Sequence, residues 1–252
     1  MGQVAWLRGE YEAALRYHEQ AVQAARPVAA FMPFLAVQAL GSLGSVHLEI
    51  SLHYLDRALE CHGQAASMLE HPAGVIAGGT AWADLGFCAL ALGKLDLAAD
   101  LFHKGLDHPT MFMHLERPRF LVGLATLALR QGQAGEALRR AAEARAYAEA
   151  RQMRHLYPLL ALTDGEVAAA QGQAPDALAA YERAEALAHE MTMRPQAWQA
   201  QAAAARMLMQ EGRHDEAAAK RQGAQRVIED IAGGITDAPR RARYLEHALA
   251  QL

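Results

Sequence analysis

A single glycine recurs along this chain. Gly93, Gly132, Gly172 and Gly212 are spaced 39, 40 and 40 residues apart. The same step carried toward the N-terminus reaches Ser51 and then Gly9, each 42 residues earlier. Six turn-like positions at near-constant spacing admit few folds. A period of this length marks a repeat array, in which each unit buries its apolar face against its neighbours.

The surroundings of the glycine recur with it. Five residues later stands Ala14, Ala98, Ala137, Ala177 or Ala217, and seven further on Ala21, Gly105, Ala144, Ala184 or Ala224. Small residues at this interval line one side of a helix, where a neighbouring helix presses close. The glycine ends the preceding helix, because it tolerates the left-handed backbone beyond a helix C-terminus. Each unit is therefore predicted as helix, glycine turn, helix. Pairs are expected near 30–49 and 53–70, 74–92 and 95–107, 117–131 and 134–151, 156–171 and 174–190, and 196–211 and 214–231. A partial unit precedes them, with a helix at 11–25 and little in front of it. Pro27, Pro72, Pro109 and Pro195 punctuate the boundaries. One domain over 1–252 is expected, with units near 1–27, 28–72, 73–109, 114–152, 155–191 and 195–232 and a capping helix at 237–252. Alanine is the commonest residue and aromatics are only 6%, which favours helix over strand.

The third unit reads Trp82-x2-Leu85-Gly86-x2-Ala89-x3-Gly93-x-Leu95-x2-Ala98-x3-Phe102, with Pro109 at its close. This resembles the tetratricopeptide repeat, with Ala89 where that family has a tyrosine. The first unit supplies Gly9, Tyr11, Ala14, Tyr17, Ala21 and Pro27. The fourth to sixth keep the glycine and alanines without the tryptophan. The second is the poorest match, with Leu43-Gly44 present but Ser51 in place of the glycine. HEAT and armadillo repeats share the period but lack this grammar. The resemblance implies an all-α, right-handed α-solenoid of about six helix pairs with a C-terminal capping helix. Its long period is similar to the C-terminal arrays of bacterial ATPase regulators and ATPase–nucleotide cyclase fusions, as is the ending AGGITDAPRRARYLEHALAQL. That likeness implies a fragment or relic of such a regulator.

Chemistry-bearing motifs are missing. GxxxxGK[ST], GxSxG, HExxH and GxGxxG do not occur. No catalytic residue, cofactor or metal is expected. His103 and His108 are five apart and His53 and His62 nine apart, so neither pair has helical ligand spacing; the histidines read as solvent-facing or boundary residues. Cys61 and Cys88 form no CxxC, which points to a reducing compartment and a cytoplasmic location. Both read as small core residues. Net charge is −4, and Arg139-Arg140, Lys220-Arg221 and Arg240-Arg241 are short pairs flanked by acids or alanines. Nucleic acid is therefore not an expected partner. No apolar run is long enough for a membrane span. Met111, Met113, Met191 and Met193 lie near unit junctions, where loop packing is the first reading and a flexible apolar binding lip the alternative.

Two functions fit such an array. One is a protein-interaction scaffold holding a peptide or partner helix in its concave groove. The other is a regulatory module sensing a small effector within a larger bacterial signalling protein; an enclosed apolar pocket would favour it. The expected groove residues come from register. In the first helix of the fourth unit, Arg119, Thr126 and Arg130 share a face roughly opposite Leu121 and Ala128. One repeat on, Thr126 becomes Glu166 and then Arg206; one repeat back it becomes Phe87. Asp84 is placed with them. Family members that clamp a peptide carboxylate use lysines and asparagines here, so that ligand is not expected. The mixture suits a polar ligand with an apolar anchor. A structural reading is equally open, in which Glu166 and Arg206 merely pair across neighbouring units.

Overall fold

The computed structural model describes residues 1–69, 80–107 and 113–252. Among them every regular element is helical. In chain order these are α1 Gly2–Leu7, α2 Tyr11–Ala25, α3 Pro33–Ile50, α4 Leu55–Leu69, α5 Thr80–Ala91, α6 Leu95–Asp107 and α7 Met113–Arg130. There follow α8 Ala134–Ala150, α9 Tyr157–Ala170, α10 Ala174–Glu190, α11 Arg194–Gln210, α12 His214–Gly233 and α13 Ala238–Leu249. None of the described helices is long and apolar enough to cross a membrane.

Consecutive helices pack in pairs, α3 on α4, α5 on α6, α9 on α10 and α11 on α12. The second helix of a pair also meets the first of the next, as α2 meets α3, α4 meets α5 and α10 meets α11. The chain forms two compact units. Unit 1 is Met1–Trp6 with Tyr11–Leu127, and unit 2 is Leu7–Glu10 with Ala128–Leu252.

The glycine turns are built as their spacing requires. Gly9, Gly93, Gly132, Gly172 and Gly212 all have φ between 71° and 73°. At each of the last four, the residue after glycine donates its N–H to a carbonyl five residues back, such as Lys94 to Ala89. Glycine itself donates to the carbonyl three back, which satisfies two otherwise orphaned acceptors. Ser51 turns differently. Its backbone is extended, and its hydroxyl accepts from the His53 N–H at 3.1 Å to start the next helix. The other turns, between α8 and α9 and between α10 and α11, use the same double hydrogen bond with Gln152 (φ 53°) and Thr192 (φ 57°) in the glycine place.

Several boundaries move. α7 starts at Met113 rather than 117, with Pro118 inside it. The short α1 fills the place expected to be nearly empty. Pro27 lies in a 3-10 turn, Pro195 opens α11, and Pro72 and Pro109 fall outside the described residues.

The alanine column is buried throughout, with Ala14, Ala98, Ala137 and Ala177 fully inaccessible and Ala217 nearly so. The second column departs once. Gly105, Ala144, Ala184 and Ala224 are buried, but Ala21 is exposed. In unit 2, α13 closes the end of α12 with Tyr244 and Ala248. Asp237 caps α13 by accepting from the Arg240 N–H at 2.8 Å. The Leu7–Glu10 segment belongs to this unit: the Arg8 carbonyl accepts from Arg194 Nε at 2.6 Å, and Gly9 lies against Ile231 and Pro195. Met193 is buried beside Ala188 and Ala197, so the packing reading of that methionine holds; Met111 and the side chain of Met113 lie outside the described residues.

Candidate functional site

A second repeat underlies the first. A Cβ on Gly86 would lie 2.3 Å from the Phe102 ring, and one on Gly165 2.3 Å from that of Tyr181. On Gly44 it would lie 2.6 Å from His62, and on Gly2 2.8 Å from His18. In each case the first helix of a pair is notched and the second inserts a ring into the notch. Only a missing side chain admits so close an approach. This corrects the reading of these histidines as solvent-facing or boundary residues. His62 is fully buried and His18 is 8% exposed, because each occupies the position of Phe102 and Tyr181. Burial holds both imidazoles below the ordinary histidine range and therefore neutral near pH 7.

The residue after each notch fixes the register of the expected binding face. Counting in this register, Phe87, Thr126, Glu166 and Arg206 are preceded by Ser45 and Gln3. In unit 1, Gln3 and Ser45 line one cavity of about 650 Å³ together with Trp6, Tyr17, His18, Ala21, Gln38, Ser42, Asp84 and Arg119. Four first helices, α1, α3, α5 and α7, supply most of its wall.

Three of the expected residues meet in unit 1. Arg119 Nη2 donates to Asp84 Oδ1 at 2.5 Å, and the guanidinium carbon stands 5.9 Å from the centre of the Phe87 ring. Phe87 in turn meets Phe102 edge-on at 5.4 Å. The Asp84 side chain is only 4% exposed, and its Oδ2 is 3.6 Å from His62 Nδ1, beyond hydrogen-bond distance. Thr126 turns inward, its hydroxyl donating to the Val122 carbonyl at 3.0 Å. The packing positions opposite, Leu121, Leu124, Ala125 and Ala128, are all buried as expected.

The remaining three lie in unit 2. Burial raises the Glu166 carboxyl above its ordinary range, opposed first by the charge of Arg206 and then by that of Arg130. Arg206 makes its contact elsewhere, donating from Nη1 to the Gln251 carbonyl at 2.7 Å. The expected Glu166–Arg206 relation is thus an attraction through space rather than a contact.

Sequence reasoning missed the carboxyl behind the unit 1 cavity. Trp6 Nε1 donates to Glu49 Oε2 across 43 residues. Burial pushes the Glu49 carboxyl up to about 7, against the hydrogen bonds from Trp6 and Tyr11 and the charge of Arg119. It also missed a polar cluster in unit 2, where Glu185 accepts from Lys220 Nζ at 2.5 Å and Gln201 Nε2 at 2.7 Å. Of the two cysteines expected in the core, Cys61 is only half-buried. Cys88 is buried, and burial, aided by the Asp84 charge, pushes its thiol up to about 12.

No family model matches the sequence, and no curated protein matches it. Solved structures do share its fold. The chain is similar to BtubC (BKLC) from P. vanneervenii, with a TM-score of 0.57, 14% identity, and cover of 88% of this chain and 92% of that one. It is similar to a chain of the APC/C hetero-tetramer Cut9-Hcn1, with a TM-score of 0.62, 14% identity, and cover of 95% and 45%. It is also similar to aspartyl phosphate phosphatase F from Bacillus subtilis, with a TM-score of 0.56, 17% identity, and cover of 86% and 57%. The fold they share is an all-helical array of helix pairs.

Proposed function

We propose that this chain is a non-enzymatic protein-interaction scaffold, and that a peptide or partner helix lies along the first-helix face of unit 1. The observation that carries this reading is the cavity of about 650 Å³. It collects Asp84 and Arg119 at one place, and its rim reaches the exposed Leu35 and Gln38. An open rim suits a chain passing through better than a small molecule sealed from water. Assembly with other proteins has a precedent among the structural neighbours, since Cut9 is seen in a hetero-tetramer with Hcn1. The likeness of the long-period helices to bacterial ATPase regulators supports a place within a cytoplasmic signalling protein.

The test is site-specific photo-crosslinking in the native cell. A benzophenone side chain at Gln38, on the cavity rim, is expected to trap a protein partner. The same group at Leu97, exposed on α6 and outside the cavity, is expected to trap none. Equal trapping from both positions, or from Leu97 alone, would overturn the groove assignment.

A further inference from the structure

We propose that the unit 1 cavity accepts the ammonium or guanidinium group of a lysine or arginine side chain carried by the partner. This rests on the groove reading above and specifies what the groove selects.

Three observations carry it. The first is an unfinished carboxylate. Asp84 lines the cavity with one oxygen bound by Arg119, while its other oxygen accepts no hydrogen bond among the described residues. A cationic donor would complete it with a charge-assisted hydrogen bond. The second is His18. It lines the same cavity, is 8% exposed, and its Nε2 has no hydrogen-bond partner. A buried polar atom left unpaired is costly and marks a place where a ligand atom supplies the bond. Burial, and after it the charge of the N-terminal ammonium, hold the ring below the ordinary histidine range, so Nε2 offers a lone pair to an N–H donor. Trp6 and Tyr17 also line the cavity, and the Arg16 guanidinium carbon already stands 5.4 Å from the centre of the Tyr17 ring.

The third observation is the charge balance. Of the charges at the cavity, Arg119 is bound to Asp84 and the N-terminal ammonium acts on His18, and Asp84 is the one carboxylate among the described lining residues. An anionic ligand would have to draw Arg119 from Asp84 and leave that carboxylate buried and unpaired. A donor at the other Asp84 oxygen leaves the Arg119 contact in place.

The experiment is calorimetric titration of the full chain, at low salt and about pH 7, with four capped peptides of equal length. On one alanine–serine background they carry two lysines, two arginines, two glutamines or two glutamates. The basic peptides are expected to bind and the other two not. Gln38 is exposed on the rim, so Gln38→Lys leaves the core intact; it is expected to weaken the basic peptides by about tenfold. Leu97→Lys adds the same charge outside the cavity and is expected to leave binding unchanged. Equal binding of acidic or neutral peptides, no binding of basic ones at millimolar concentration, or equal effects of the two lysine variants would overturn the proposal. If Gln38 traps a partner while the basic peptides show no preference, the groove reading stands and the cation inference falls.

Discussion

At the scale of single residues, glycine does two different jobs in this chain, and the same substitution separates them. Gly86 sits in a notch filled by Phe102, whereas Gly63 lies exposed within α4 with nothing near its missing Cβ. Alanine at an open helical position gains about 0.5–1 kcal/mol by restricting the unfolded chain. Alanine at Gly86 gains the same term but meets a ring at 2.3 Å, and overpacking costs about 1–3 kcal/mol. Urea denaturation should therefore show Gly63→Ala more stable than the parent and Gly86→Ala less stable. A Gly86→Ala midpoint at or above the parent value would mean that the notch is not tight. The turn glycines were legible in the sequence because their left-handed backbone favours glycine over other residues. Gln152 and Thr192 hold the same left-handed conformation without the signal, so spacing gave no hint of them. The notch glycines were visible as letters, but the rings that fill them are 16 or 18 residues away and look like ordinary histidines, phenylalanine and tyrosine.

At the scale of elements, the informative group is α1, α2 and α3, joined around Glu49. Its carboxyl has an ordinary value of 4.5 and is pushed up to about 7 in the fold, mainly by burial. The folded chain therefore holds a proton there that the unfolded chain has released. Stability from this group is fully present below 4.5 and is lost as pH rises through about 7. The full shift corresponds to a loss of up to about 3 kcal/mol. Glu49→Gln keeps an acceptor for Trp6 and cannot ionise. The stability of the parent relative to this variant should fall between about pH 5 and about pH 8. A constant difference across that range, measured by denaturant unfolding, would show that Glu49 is not buried as described. The helices themselves were readable from their alanine columns to within a few residues. The contacts of Glu49 and Asp84 were not, because a pairing across 43 or 35 residues depends on how each helix is rotated about its axis. Register predicted which residues share a face, and it carried Asp84, Phe87 and Arg119 to one place in unit 1. It did not foresee that the Asp84 side chain would be almost wholly covered.

At the scale of the whole molecule, the fold sets no nucleotide-binding strand and loop beside these helices among the described residues, and the sequence has no phosphate-binding loop. The purified chain is expected to turn over no ATP or GTP. Stoichiometric hydrolysis that survives repurification and scales with protein concentration would contradict the scaffold reading. The partner was beyond the sequence for a physical reason. An array of this kind is specified by its packing positions, and those leave the groove-facing residues free to vary without loss of fold.

The notch and its ring have a consequence for inheritance. Gly86 with Phe102, Gly165 with Tyr181, Gly44 with His62 and Gly2 with His18 are each encoded within a single period. A tandem copying error of one period would therefore carry the hole and its plug together. Such an event adds or removes a unit without leaving either half unmatched. The gene can lengthen or shorten in whole steps, and each step delivers a fresh groove position on which selection can act.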